Sequence, residues 1–209
     1  MGVGHLNETT VLNEAVREEL LAMRDAALRL RSRLIASGTL FGAYNEEMAS
    51  LHRKHATRLR EILAAHGWPG HSLVGEDGCS AAWLLLQHAI LDPPLMKSAQ
   101  PLLEKAIQRG NAPPALLAYL VDRVQTLQGL PQVYGTQHDW DDFGNMSPLP
   151  IENAQSVEQR RAALGMETLE SQTARLRKQA TLDGDNGPAD LEAYRRGANE
   201  WAMSIGWRT

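Results

Sequence analysis

Two long stripes of apolar residues in the first third of the chain constrain the fold more than any other feature of the sequence. The first stripe runs from Leu12 to Leu34 and the second from Tyr44 to His66, with successive members three or four residues apart. Because an α-helix has 3.6 residues per turn, this spacing places each stripe along one face of a helix. Asn7, Thr9 or Thr10 is expected to cap the first helix, and the sequence predicts an antiparallel αα-hairpin.

Three further apolar segments in the middle of the chain predict three more helices. The run from Ser80 to Leu91 is apolar around most of its circumference, which is typical of a central, buried helix. It follows a predicted loop at residues 71–78, and Asp92-Pro93-Pro94 should end it because proline disfavours helical geometry in the preceding residue. The other two helices are expected at about 96–109 and from Pro113-Pro114 to Gly129.

The periodicity changes after Gly129. The segments 132–137 and 146–151 flank a turn-like sequence rich in Asp, Gly and Asn, which predicts a small two-stranded hairpin. Helix is expected again from Ser156 to about Gln179, followed by a linker at 182–188 and a final helical stripe from Leu191 that docks on the rest. The predicted fold is therefore mostly α: a helical bundle with an N-terminal αα-hairpin and a small β-hairpin insertion. Residues 1–181 form one helical domain, and 182–209 form the linker and the C-terminal docking helix.

The composition excludes several classes of protein. The AVILMFWYC set makes up 43% of the 209 residues, so a packed core is expected. Cys79 is the only cysteine, which rules out an intrachain disulfide. A net charge of −4 lacks the basic excess of a nucleic-acid binder. No apolar run reaches membrane-spanning length and the start is unlike a signal peptide, so we expect a cytoplasmic protein with no membrane partner. The long stripes make a homodimer an open alternative.

Polar residues interrupt the apolar helices in the middle third of the chain and define a candidate site. Burying such groups without hydrogen-bond partners would cost a few kcal/mol each, roughly, so each of them needs a partner. Gly135 lies among them and would let a ligand or another backbone approach closely. The candidate substrate-binding residues are Trp83, Gln87, Tyr119, Arg123, Gln132, Tyr134, Thr136 and His138, and the candidate catalytic residues are His88, Asp122 and Gln137.

Two interpretations of this cluster are open. In the first, the chain is an enzyme, a hydrolase or lyase, in which His88 is a general acid and base, since an imidazole exchanges protons near neutral pH. Asp122 would orient His88, Arg123 would bind a carboxylate or phosphate of a small-molecule ligand, and Gln137 would contact an amide or hydroxyl group. In the second interpretation, the same groups form a structural network in the core of a non-catalytic ligand-sensing or protein-interaction module.

Cofactors find little support in the sequence. There is no P-loop, no GxGxxG fingerprint and no GxSxG elbow. A divalent metal is an alternative, with His55, His88, His138 and the carboxylates of Asp122 or Asp139 as ligands, but the chain lacks HExxH and other metal-site spacings. We therefore predict no cofactor and assign no metal ligand.

The order of several motifs resembles a bacterial family of unknown function. Between about Arg58 and Glu170 the chain contains, in order, AAWLLLQHA, LAYLVDRV, GLPQVYGTQ, PLPIEN and VEQRRAALGM. The resemblance implies no activity, substrate or cofactor. It does imply that ten residues occupy the family's motif positions: Trp83, Gln87, His88, Asp122, Arg123, Gln132, Tyr134, Gly135, Thr136 and Gln137.

Overall fold

The fold, taken from a computed structural model, is described for residues 12–40 and 45–209. It is a helical bundle with one small antiparallel sheet, which confirms the predicted fold class. Within these residues no helix is both long enough and apolar enough to cross a membrane. The helices are α1 (Glu14–Ala36), α2 (Glu46–His66), α3 (His71–Gln87), α4 (Pro93–Gln108), α5 (Ala115–Leu127), α6 (Val157–Ala163), α7 (Leu169–Asp183) and α8 (Leu191–Ile205), and the strands are β1 (His138–Trp140) and β2 (Met146–Pro148).

Helices α1 and α2 form the predicted hairpin. Arg33 near the end of α1 ion-pairs with Glu47 at the start of α2, while Arg58 late in α2 pairs with Glu19 early in α1. These two pairs require the helices to be antiparallel. The side chain of Asn13 caps α1 by accepting a hydrogen bond from the Val16 amide. The candidate caps at 7, 9 and 10 lie outside the described residues.

Helix α3 is the centre of the bundle, because it packs against α1, α2 and α5. It begins at His71, so the prediction of a loop at 71–78 was wrong. Gly75 has a φ of +71° and kinks the helix. Because glycine is the residue that adopts this conformation readily, the sequence around the kink resembles that of a loop. Just after the kink, the Asp77 carboxylate accepts a hydrogen bond from the Gly78 amide, and Arg17 of α1 holds that carboxylate with two hydrogen bonds.

The hairpin begins later than predicted. Strand β1 covers 138–140, whereas 132–137 is a loop that contacts the segment after β2 through an isolated bridge between Gln132 and Ile151 and through a hydrogen bond from the Leu149 amide to the Gln137 carbonyl. The amides of Val133, Thr136 and Gln137 bind side chains, so they are not available for a ladder with a neighbouring strand. The sequence pattern was correct about a hairpin and wrong about which residues pair.

The C-terminal third departs from the prediction where one helix was expected and two are found. Instead of one helix to Gln179, α6 and α7 are separated by a turn in which Gly165 has φ of +66°. Helix α8 packs on the core through the buried Ala202 and, just beyond the helix, Trp207. The Trp207 indole donates to the carbonyl of Ile90 at 2.7 Å, which ties the C-terminal segment to the residues that follow α3.

Candidate functional site

The loop at residues 132–137, here called the YGTQ loop, is anchored by a buried carboxylate from α5. Asp122 is fully buried, and its two oxygens accept hydrogen bonds from the backbone amides of Val133, Tyr134 and Thr136 at 2.7–3.1 Å. Three converging N–H groups satisfy a buried negative charge, which would otherwise be costly to desolvate. Asp122 therefore holds the loop, and these contacts do not direct it to His88 as the sequence interpretation proposed.

A buried amide supports the same loop from within. Gln132 is fully buried, and its side-chain nitrogen donates to the carbonyls of Gln137 and Leu149 at 2.8 and 2.9 Å. Its side-chain oxygen accepts from the Gln137 amide at 2.8 Å. The Gln137 side chain itself donates to the hydroxyl of Thr136. The contacts of Gln132 and Gln137 thus close the loop on itself and connect it to the residue after β2.

Two consecutive arginines of α6 bind the loop from the opposite side. Arg161 is fully buried and donates to the carbonyls of Tyr134 and Glu167 and to the side-chain oxygen of Gln172. Arg160 donates to the carbonyl of Val133 at 2.8 Å. Because Asp122 binds the N–H of Tyr134 and Arg161 binds its C=O, this residue's two backbone groups link a buried negative charge to a buried positive one.

Gln172 of α7 completes the network. It is 2% exposed, and its side-chain nitrogen donates to the carbonyl of Thr136 while its oxygen accepts from Arg161 and, at 3.4 Å, from the hydroxyl of Tyr119. Trp83 of α3 packs edge-on against Tyr119 with ring centroids 6.4 Å apart. Trp83 and Tyr119, two of the predicted binding residues, therefore lie between the central helix and this network.

His88 lies elsewhere in the arrangement, as the residue that ends α3. Its ring stacks on that of His52 from α2, with centroids 4.8 Å apart and planes inclined by 19°. The two histidines border a cavity of about 200 Å³, here called the histidine cavity, to which α2 also contributes Arg53 and Thr57 and the start of α4 contributes Asp92. His88 is the only one of the predicted site residues that lines this cavity.

Burial and positive neighbours keep these imidazoles neutral. Burial first, and then the nearby groups Arg123, His52 and Arg31, lower the pKa of His88 to about 3. The pKa of His52 falls to about 4, again through burial first and then through His55. At neutral pH each ring therefore carries one N–H donor and one lone pair.

Two arginines outside the lining of the histidine cavity, Arg31 and Arg123, act on His88 through their positive charge. Arg123 follows Asp122 on α5, but the two side chains have different partners. Asp122 binds the YGTQ loop, whereas the charge of Arg123 lowers the pKa of His88. Arg31 of α1 ion-pairs with Asp183 at the end of α7. Gln87, also predicted to bind substrate, is half-buried in the last turn of α3.

His138 belongs to the loop side of the molecule. Its Nε2 lies 2.9 Å from the hydroxyl of Thr173, which itself donates to the carbonyl of Leu169. The hydroxyl therefore accepts from His138, and the protonated nitrogen of that ring is Nε2. Burial lowers the pKa of His138 to about 4. Across residues 12–40 and 45–209, no three His, Cys, Asp or Glu side chains are grouped so that they could hold a metal ion.

The structure thus divides the predicted cluster into two parts. Asp122, Gln132, Thr136 and Gln137 form a sealed network around the YGTQ loop, whereas His88 borders an open cavity with a histidine that the sequence interpretation left out. Arg161 and Gln172 were also missed as members of the network. The adjacent arginines at 160–161 were the available signal.

These features define an α-helical bundle with a buried polar network beside a histidine-lined cavity. The chain belongs to a family of unknown function, DUF6624, which matches residues 14–187. Helix α8 lies beyond the matched region. No curated protein and no solved structure matches the chain.

Proposed function

We propose that the chain is an enzyme that carries out acid and base chemistry on a small polar or anionic molecule in the histidine cavity, with His88 exchanging the proton. The observation that carries this proposal is the stacked pair of His52 and His88 at the wall of the cavity. The histidine cavity has a volume of about 200 Å³, which lies below the roughly 300–1,000 Å³ of sites for drug-sized ligands, so the substrate is a small molecule.

The positive charges that act on His88 favour an anionic substrate. A neutral imidazole can accept a proton, and the positive charges of Arg31 and Arg123 act on His88. An anionic substrate would offset those charges and stabilise the imidazolium form, which raises the pKa of His88 toward the range where proton transfer is efficient. Substrate binding would thus prepare the base for its reaction.

One observation favours a second function, that of a non-catalytic ligand sensor. A pKa of about 3 makes His88 a weak base at neutral pH in the unliganded chain. A site that only binds its ligand needs no proton transfer, and neutral histidines serve it as hydrogen-bond donors and acceptors. In that case, the bound ligand leaves the site chemically unchanged.

Inorganic phosphate is the first probe for both functions. We expect its addition at pH 6 to shift the ring resonances of His52 and His88 in the NMR spectrum and to raise the pKa of His88. His88→Gln should abolish the response of His52, whereas His66→Gln, which alters an exposed histidine at the end of α2, should preserve it. Unchanged His52 and His88 signals, or an equal response in His88→Gln, would contradict the proposal.

A substrate panel separates the enzyme from the sensor. Small phosphate esters, carboxylic esters and amides would be incubated with the wild-type chain, His88→Gln and His66→Gln, and products would be followed by NMR. Turnover that is lost in His88→Gln alone supports the acid and base role. Binding of a panel member without turnover supports the sensor instead.

A further inference from the structure

We infer that a groove between α1 and α2 is a docking site for an acidic, amphipathic helix of another protein. The α1–α2 groove has a volume of about 480 Å³ and lies apart from the histidine cavity, with different lining residues. Arg29, Leu30 and Arg33 line it from α1, and Glu47, Leu51 and Lys54 line it from α2. On each helix the lining positions fall in successive turns, at 26, 29–30 and 33 on α1 and at 47, 50–51 and 54 on α2, so one continuous face of each antiparallel helix forms a wall.

The shape of the groove suits a helix. The lining residues extend from Ala26 to Arg33 on α1, which at 1.5 Å per residue is about 10 Å, or two turns. Two antiparallel helices with matching open faces leave a trough into which a third helix can pack, as in helix-in-groove recognition. A partner would therefore contact the groove through apolar residues at positions i, i+3 or i+4, and i+7.

The floor of the groove is apolar. Leu30, Leu34 and Met48 form a small buried cluster that is separate from the main core, and Leu51 packs against it while only partly buried. Leu30 and Leu51 both line the groove. A helix seated there would remove the remaining apolar surface of Leu51 from water, which is the favourable contribution to such an interface.

The rim of the groove is positively charged. Glu47 ion-pairs with Arg33, which leaves Arg29 and Lys54 as the excess charge, one on each wall. Both are exposed, and no carboxylate within residues 12–40 and 45–209 forms an ion pair with either of them. Acidic residues on both flanks of a partner's apolar stripe would complement this rim.

The same charges argue against a second copy of this chain as the occupant. A symmetric dimer would place the groove of one copy against the groove of the other, because a two-fold interface uses the same patch on both subunits. Arg29 and Lys54 of each copy would then face like charges, and such juxtaposition is unfavourable.

A displayed library of randomised amphipathic helical peptides tests the inference with the full-length chain as target. We expect the enriched peptides to carry an apolar stripe flanked by Glu or Asp. In fluorescence anisotropy, the double charge reversal Arg29→Glu with Lys54→Glu should weaken the binding of such a peptide by about tenfold or more. The matched reversal Lys105→Glu with Arg109→Glu, on the exposed end of α4, should leave the affinity unchanged.

A charge swap provides the second arm. Replacing the acidic residues of the selected peptide with Lys should abolish its binding to the wild-type chain and restore binding to the doubly reversed variant. Selection of non-acidic peptides, or binding that the groove reversal leaves intact, would overturn the inference. So would octanoate displacing the peptide at equal affinity, which would indicate a small-anion site, or a dimer that Leu51→Glu dissociates, which would indicate self-association.

Discussion

Replacing Asp122 with Asn separates a structural role of this residue from a catalytic one. The buried carboxylate accepts hydrogen bonds at both oxygens from the amides of the YGTQ loop. Asparagine keeps one oxygen and places an NH₂ group where the other stood, so an N–H of the loop then faces a donor. The side chain also loses the negative charge that the buried Arg161 balances across Tyr134.

The size of the effect follows from these contacts. A hydrogen bond to a charged group contributes about 1.5–3 kcal/mol, and the variant loses the bond to Thr136 and weakens those to Val133 and Tyr134. We therefore expect the free energy of unfolding to fall by about 3–5 kcal/mol, a large part of the roughly 5–15 kcal/mol that holds a domain folded.

Urea denaturation at pH 7, followed by circular dichroism, measures this change. The midpoint should fall while the m-value stays constant, because the surface exposed on unfolding is unchanged. Asp142→Asn is the matched control: its carboxylate lies on the hairpin tip with its side chain 75% exposed, so its ion pair with Arg195 contributes little. A loss below about 1 kcal/mol for Asp122→Asn, together with loss of phosphate binding, would refute the structural role and place Asp122 in the ligand site.

Three other substitutions test the histidine pair, the loop and the C-terminal segment. The lowered pKa of His88 means that the folded chain binds fewer protons than the unfolded chain between about pH 3 and 6.5, so stability falls as the pH drops through this range. His88→Gln should reduce the slope of unfolding free energy against pH by up to about one proton, and an unchanged slope would contradict the assigned pKa. Gly135→Ala combines a φ of +70° with a Cβ 2.8 Å from Leu169 Cδ1, the end of a flexible side chain that must turn away. Thermal denaturation should therefore find it less stable than Gly165→Ala, which has a φ of +66° and open space, by about 0.5–1.5 kcal/mol; equal losses would exclude the steric contact as the cause. Trp207→Ala should lower the free energy of unfolding, measured by urea denaturation, by about 3–5 kcal/mol, since Trp207 is 4% exposed. A loss under about 1 kcal/mol would mean that the C-terminal segment does not stabilise the core.

The candidate site was only partly predictable because its residues act through contacts between distant segments. The sequence identified Asp122, Gln132 and His88 as polar residues within apolar elements, and such residues need partners when buried. It did not identify the partners. Arg161 and Gln172 are far from the YGTQ loop along the chain, and their positions on α6 and α7 resemble those of ordinary surface residues.

His52 illustrates the same limit on a single helix. It lies beside the apolar stripe of α2 rather than on it, so its periodicity predicts a position at the edge of the buried face. His52 is buried because α2 packs against both α1 and α3, so a wider part of the surface of α2 is covered. The pairing of His52 with His88 therefore depends on how three helices meet.

The sequence by itself determined the helical class and the antiparallel hairpin of α1 and α2, because apolar periodicity fixes which face of a helix leaves water. Only the tertiary structure decided that Asp122 serves the loop while His88 borders the cavity with His52. The physical reason is that a buried polar group is stabilised by whichever partner the packed helices bring within hydrogen-bond distance, and this choice is not encoded in local spacing.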